Sequence, residues 1–236
     1  MDKSLLVLLG TAATIGFVHT VLGPDHYLPF VVLSKARGWT SRKTALVTAL
    51  CGVGHVLSSV VLGLIGIVIG TALFRLEAIE AVRGDIAAWL LMAFGFAYFV
   101  WGVHRAVRSR SHEHSHVHEG GAEHSHFHGH TGEHSHVHDA RSRSATPWIL
   151  FLIFVFGPCE PLIPILMFPA ARGSISHVVL VAAVFGLATV GTMLTVVMTS
   201  YYGLSRVRVK SMERYGHAFA GFALFASGGA IAFLGL

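Results

Sequence analysis

Charge is what this chain has least of. Only 12% of its 236 residues are Asp, Glu, Lys or Arg, about half the share of a soluble globular domain, which excludes an ordinary soluble enzyme or binding module. Cysteine is scarce as well. Cys51 and Cys159 are the only two and lie far apart; this excludes a disulfide framework but leaves open a redox pair or thiolate ligands. No phosphate-cradling Gly-rich loop ending in Lys-Ser or Lys-Thr is present, so any energy source would have to be an ion gradient or a partner subunit. Lys and Arg are not interleaved with aromatics, which argues against a nucleic-acid surface.

Apolar sequence is what the chain has in excess, at 53%. Six hydrophobic segments stand out: Leu5 to Leu22, Thr44 to Leu73, Ile86 to Val107, Trp148 to Phe168, His177 to Tyr202, and His217 to Leu236. Each approaches or exceeds the roughly 20 residues that carry a helix across a bilayer. The expected fold class is therefore all-α and polytopic, with six transmembrane helices. Met1 to Ser4 followed by an apolar run reads as a retained first helix, since no small-x-small cleavage site leads into a polar mature domain.

Basic residues set the expected orientation. Lys35 to Lys43 carries four Lys or Arg, Arg105 to Arg143 five, and Arg206 to Arg214 four, against Lys3, Arg75, Arg83 and Arg172 elsewhere. Cytoplasmic loops concentrate Lys and Arg. The three basic loops are thus expected in the cytoplasm and both termini outside, on the periplasmic face of an inner or plasma membrane.

The third loop, Ser109 to Ser144, is of low complexity. Glu113-His114-Ser115-His116-Val117-His118 recurs at Glu123 to His128 and at Glu133 to His138. Eleven of the seventeen histidines fall here: His112, His114, His116, His118, His124, His126, His128, His130, His134, His136 and His138. Gly120, Gly121, Gly129 and Gly132 argue against a fixed helix. Neutral imidazoles in this density suit transition metals, and a mobile metal buffer or sensor is the expectation; a plain polar linker is the alternative.

A longer-range repeat links the two halves. Gly23-Pro24-Asp25-His26-Tyr27-Leu28-Pro29 is echoed 134 residues later by Gly157-Pro158-Cys159-Glu160-Pro161-Leu162-Ile163-Pro164, and Ala36-Arg37-Gly38 is echoed 135 residues later by Ala171-Arg172-Gly173. Three helices per half would make the copies cross the membrane in opposite directions. Such inverted repeats are common in secondary transporters, whose sites lie near the midplane between helices interrupted by Gly or Pro. The expected organisation is a three-helix repeat over 1–108, the His-rich loop over 109–146, and a second repeat over 147–236.

Polar groups inside apolar helices mark a substrate or ion path by default. The first half supplies His19, Asp25, His26 and His55; the second supplies Cys159, Glu160, Thr189 and Thr192. Cys51 and Ser58 share a helix face with His55. On a straight helix His19 and His26 would be about 10 Å apart, so joint chelation requires the chain to fold back at Gly23-Pro24. The expected metal ligands are His19, Asp25, His26, His55, Cys159 and Glu160, with Cys51, Ser58, Thr189 and Thr192 as secondary candidates. Nitrogen-rich ligation with a carboxylate favours Ni(II), Co(II) or Zn(II) over Mg(II) or Ca(II).

His19-x5-Asp25-His26 followed by Gly54-His55-Val56-Leu57-Ser58 resembles the nickel/cobalt transporter family, though the family's spacing is one residue shorter. Gly157-Pro158-Cys159-Glu160-Pro161 with the His-rich loop is similar to the related nickel/cobalt-resistance exporters and to urease-accessory-like and sulfite-exporter-like membrane proteins. Pro158-Cys159-Glu160-Pro161 also resembles the transmembrane thiol–disulfide carriers of cytochrome c maturation. What the resemblance implies is a permease, not an enzyme. Its cargo would be nickel or cobalt foremost, with zinc or copper as the wider set, and it would need no organic cofactor. Membrane lipid is then a partner, and a metallochaperone or partner subunit a candidate one. The other implied classes are an electron carrier working through Cys51 and Cys159, and an exporter of a small anion of the sulfite type. The scarcity of Lys and Arg in the apolar segments counts against the anion.

Overall fold

The computed structural model describes residues 3–70, 73–108, 113–117, 123–127, 145–205 and 210–234. Its elements run α1 (Lys3–Leu22), a 3-10 turn (Pro24–His26), α2 (Leu28–Ala36), α3 (Ser41–Ile69), α4 (Leu73–Arg108), β1 (Glu113–Val117), β2 (Glu123–Phe127), α5 (Thr146–Phe156), α6 (Leu162–Ala171), α7 (Ile175–Ser205) and α8 (Lys210–Leu234). Among the described residues five helices are long and apolar enough to span a membrane, namely α1, α3, α4, α7 and α8. The protein is an all-helical, multi-pass membrane protein, with one small hairpin outside the bundle.

Where helices stop follows from their sequence. Pro24 carries no amide hydrogen and ends the regular ladder of α1; the Pro24–His26 turn then re-aims the chain into α2. At the corresponding place in the second half, α5 stops at Phe156 and α6 begins at Leu162, across Gly157-Pro158. The apolar segment Trp148 to Phe168 is therefore broken at Gly157-Pro158, as the paired Gly-Pro motifs lead one to expect, into two short helices. Each half shows the same succession: a helix, a break, a short helix and two long helices.

The helix expected over Ile86 to Val107 starts thirteen residues earlier, at Leu73. Arg75, Glu77, Glu80, Arg83 and Asp85 suppress the hydropathy of this stretch, so it reads as a loop. Its buried positions nevertheless recur at helical spacing, through Leu76, Glu80, Gly84, Ala88 and Leu91, a single stripe facing the bundle. Arg75 and Arg83 are consequently helical residues rather than loop charges, and Arg83 is turned inward.

α4 and α8 form the closest helix pair. A Cβ on Gly95, Gly102 or Gly221 would run into the backbone of the facing helix, and one on Gly228 would come within 2.7 Å of the Met92 nitrogen. Small residues at such a seam let backbones approach, the usual means of packing helices in lipid. α1 packs mainly on α7, α5 on α3, and α2 on α8.

One end of the bundle gathers the basic segments. Lys35 Nζ donates to the Leu204 carbonyl at 3.0 Å, Tyr201 Oη to the Trp39 carbonyl at 3.0 Å, and Arg214 Nε to the Ala106 carbonyl at 3.0 Å. The loops after α2, α4 and α7 thus leave from the same face. In the His-rich region β1 and β2 pair antiparallel, with His114 opposite His126 and His116 opposite His124. His112, His118, His128, His130, His134, His136 and His138 lie outside the described residues.

Candidate metal centre

The break after α1 folds His26 back beside His19. Their ring centroids are 4.7 Å apart, and the His55 ring lies 5.0 Å from that of His26 and 6.4 Å from that of His19. His55 is the central residue of α3, fourteen positions from Ser41 and fourteen from Ile69. One ring nitrogen from each histidine lies within 4.8 Å of the others, the one such grouping of His, Cys, Asp or Glu among the described residues.

Hydrogen bonds fix which nitrogens face inward. His26 Nδ1 lies 3.2 Å from the Gly23 carbonyl and 3.1 Å from Asp25 Oδ1. His55 Nδ1 lies 3.3 Å from the Phe154 carbonyl. All three partners are acceptors, so both Nδ1 atoms donate, and each neutral ring keeps its lone pair on Nε2. These two Nε2 atoms face each other at 3.3 Å. Two lone pairs at that distance repel unless a proton or a cation lies between them. The third nitrogen, His19 Nε2, is buried with no hydrogen-bond partner.

The His26–His55 spacing of 3.3 Å suits two ligands of one ion, while the three nitrogens together lie within 4.8 Å. Two imidazoles at about 2.0–2.1 Å from a tetrahedral ion stand about 3.3–3.4 Å apart; cis ligands on an octahedral ion at similar bond lengths would stand about 3.0 Å apart. His26 and His55 are also backed as metal-bound imidazoles are, the Nδ1–H of each given to a carboxylate or carbonyl. The three rings open into a cavity of about 520 Å3, which Asp25, Gly84, Gly157 and Pro158 also line. A three-nitrogen pocket of this kind can hold a transition-metal cation and leave one coordination position open.

Of the residues expected as ligands, His19, His26 and His55 come together. Asp25 does not enter the grouping; its carboxylate stands behind His26 and orients it. Cys159 is fully buried elsewhere, its amide donating to Ser59 Oγ at 3.2 Å and Glu80 Oε2 at 3.1 Å. Glu160 is exposed. Cys51 packs in an apolar cluster with Met193 and Phe154, and Cys159 in a separate one with Val56 and Phe185; both are free thiols. Ser58 Oγ donates to the His55 carbonyl at 2.8 Å and accepts from Arg83. Thr192 bonds its own helix at Ala188, and Thr189 Oγ1 is buried without a hydrogen-bond partner.

Sequence reasoning missed Glu80 and Arg83. Glu80 is completely buried and paired with Arg83 one turn along α4. The usable signal was the four-residue spacing of Leu76, Glu80 and Gly84, which a hydropathy average does not register.

Three histidines gathered at a helix break, among helices long and apolar enough to span a membrane, are what the fold of this membrane protein brings together. Residues 28–230 match the cytochrome C biogenesis protein transmembrane region family, and the chain belongs to it. The matched span includes His55, Cys51 and Cys159 but begins after His19, Asp25 and His26. This is the relationship that Pro158-Cys159-Glu160-Pro161 suggested. No curated protein and no solved structure matches the chain.

Proposed function

We propose that the protein is a permease, not an enzyme, and moves a divalent transition-metal cation across the inner or plasma membrane through the His19–His26–His55 centre. The observation that carries this reading is the pair of Nε2 atoms that face each other 3.3 Å apart, with the unpartnered His19 Nε2 buried beside them. Cobalt and nickel remain the leading cargoes, with zinc and copper as the wider set. Two inverted repeats, in which α5 and α6 together make a sixth crossing, would place the centre near the midplane. The shared order of elements supports this. The basic end of the bundle would face the cytoplasm, with both termini outside.

The test is uptake by purified protein in liposomes, comparing Co2+, Zn2+, Ni2+ and Cu2+ for wild type and His55→Ala. We expect flux of at least one ion and its loss in the variant. No flux of any ion, or flux retained in His55→Ala, overturns the reading.

Family membership favours a second reading, a transmembrane thiol–disulfide carrier using Cys51 and Cys159. Ser59, which accepts from the Cys159 amide, is two turns, about 12 Å, along α3 from Cys51, whereas a disulfide needs Cα atoms within about 7 Å. A carrier would therefore need a rearrangement that brings the two levels together. Loss of transmembrane thiol reduction in Cys51→Ser and Cys159→Ser, with metal flux absent from the wild type, would establish it.

A further inference from the structure

The second helix break leaves one donor and one acceptor without each other. In an unbroken helix the Cys159 amide would donate to the Val155 carbonyl, four residues back. Between α5 and α6 this bond is split, and each half is taken by one member of an ion pair on α4. Arg83 Nη2 donates to the Val155 carbonyl at 2.7 Å, and the Cys159 amide donates to Glu80 Oε2 at 3.1 Å. Arg83 Nη1 closes the circuit on Glu80 Oε1, and Arg83 Nη2 also reaches Ser58 Oγ at 2.8 Å. Ser59 Oγ donates to Glu80 Oε2 at 3.1 Å. The pair thus replaces one helical hydrogen bond with a charged bridge.

A neutral side-chain pair could satisfy the same two backbone groups without the desolvation penalty of burying charges. What charge adds is strength, since charge-assisted hydrogen bonds are roughly twice as strong as neutral ones. The strength is applied next to the metal centre. One residue before Val155, in the same last turn of α5, the Phe154 carbonyl accepts from His55 Nδ1, and a Cβ on Gly157 would lie 3.2 Å from that nitrogen. Gly84 lets Pro158 close on α4; a Cβ there would lie 2.9 Å from Pro158 Cγ. Residues 154–158 are therefore held between the Glu80–Arg83 bridge and the His55 ring.

We infer that Glu80 and Arg83 are positioning residues for the tri-histidine centre. They hold the break open, which keeps the Phe154 carbonyl on His55 Nδ1 and so keeps the His55 Nε2 lone pair aimed at the cation. The consequence for metal rests on the proposed metal-binding function; the positioning of His55 does not.

The experiment uses the full chain in lipid nanodiscs, with two readouts: the imidazole 15N signals of His55, which report its tautomer, and titration with Co2+ followed by its visible absorption. Wild type is expected to show a single Nδ1–H tautomer and a tetrahedral Co2+ spectrum. E80Q and R83Q are each expected to give mixed tautomers at His55 and a Co2+ affinity about 10–100-fold weaker, as for lost supports of metal ligands. The double variant E80Q/R83Q keeps a neutral donor–acceptor pair. It is expected to recover the single tautomer in part, and it carries the test where a single variant does not fold. Folded variants with an unchanged His55 tautomer and an unchanged Co2+ spectrum overturn the inference. A wild type with a fixed His55 tautomer, lost in the variants, but no Co2+ binding overturns the metal reading and leaves the positioning role standing.

Discussion

Asp25 shows how a residue of the right chemical type can lie one step from the role its sequence suggests. His19-x5-Asp25-His26 offers a carboxylate among imidazoles, and a carboxylate is a good ligand for the same ions. The structure instead gives Asp25 Oδ1 to His26 Nδ1 at 3.1 Å, with the Gly23 carbonyl as a second acceptor. Asp25→Asn should therefore weaken cation binding about tenfold, the effect of losing a ligand's support, whereas His26→Ala should abolish it. Isothermal titration with Co2+ separates the two outcomes. Affinity should also fall as pH drops from about 8 to about 5.5, because each imidazole must give up its proton to ligate; the same titration at several pH values checks the sign. The sequence made His26 and His55 legible because both are polar residues in apolar runs. It left His19 ambiguous, since joining His26 depends on how sharply the chain turns at Gly23-Pro24, and no residue pattern states that angle. Glu80 was hidden for the opposite reason: charged neighbours on both sides made it look like loop.

Helix packing explains what a hydropathy profile can and cannot deliver. α1, α3, α7 and α8 are close to the apolar segments that announce them, because the bilayer demands length and apolarity from any spanning helix. The start of α4 at Leu73 was not legible, because an inward-facing Glu–Arg pair lowers the average while leaving helical spacing intact. Nor was the α4–α8 seam, where glycines admit the partner backbone. A valine at Gly221 would meet the backbone around Phe99. Gly221→Val should lower stability by at least about 1–3 kcal/mol, the usual range for overpacking, and the apolar contacts of Phe99 and Phe222 nearby would be displaced. Gly191 lies in the interior of α7 with nothing within 4 Å of an added Cβ. Gly191→Ala should therefore gain about 0.5–1 kcal/mol from helix propensity alone. Unfolding in detergent, followed by circular dichroism, would show opposite shifts for the two variants.

For the whole molecule the question is how an intramembrane centre and a His-rich segment divide the handling of metal. The centre depends on three breaks and crossings meeting in one place: the turn after α1, the middle of α3 and the gap between α5 and α6. None of these involves residues 109–144. The bundle is tied at its basic end by Lys35, Tyr201 and Arg214. The only described structure within residues 109–144 is the β1–β2 hairpin, whose register sets His114 opposite His126 and His116 opposite His124. A sequence dense in histidine suits transition-metal binding. Replacing residues 110–143 by a short Gly-Ser linker should therefore leave flux through the tri-histidine centre in liposomes. It should reduce the metal bound per purified chain to about one ion, the capacity of a single three-ligand site. Elemental analysis of equilibrated protein, paired with flux on the same preparation, decides the matter. A deleted chain that binds one ion and still transports assigns the segment to buffering. A chain that keeps several ions places further sites inside the bundle, and loss of flux makes the hairpin part of the path itself.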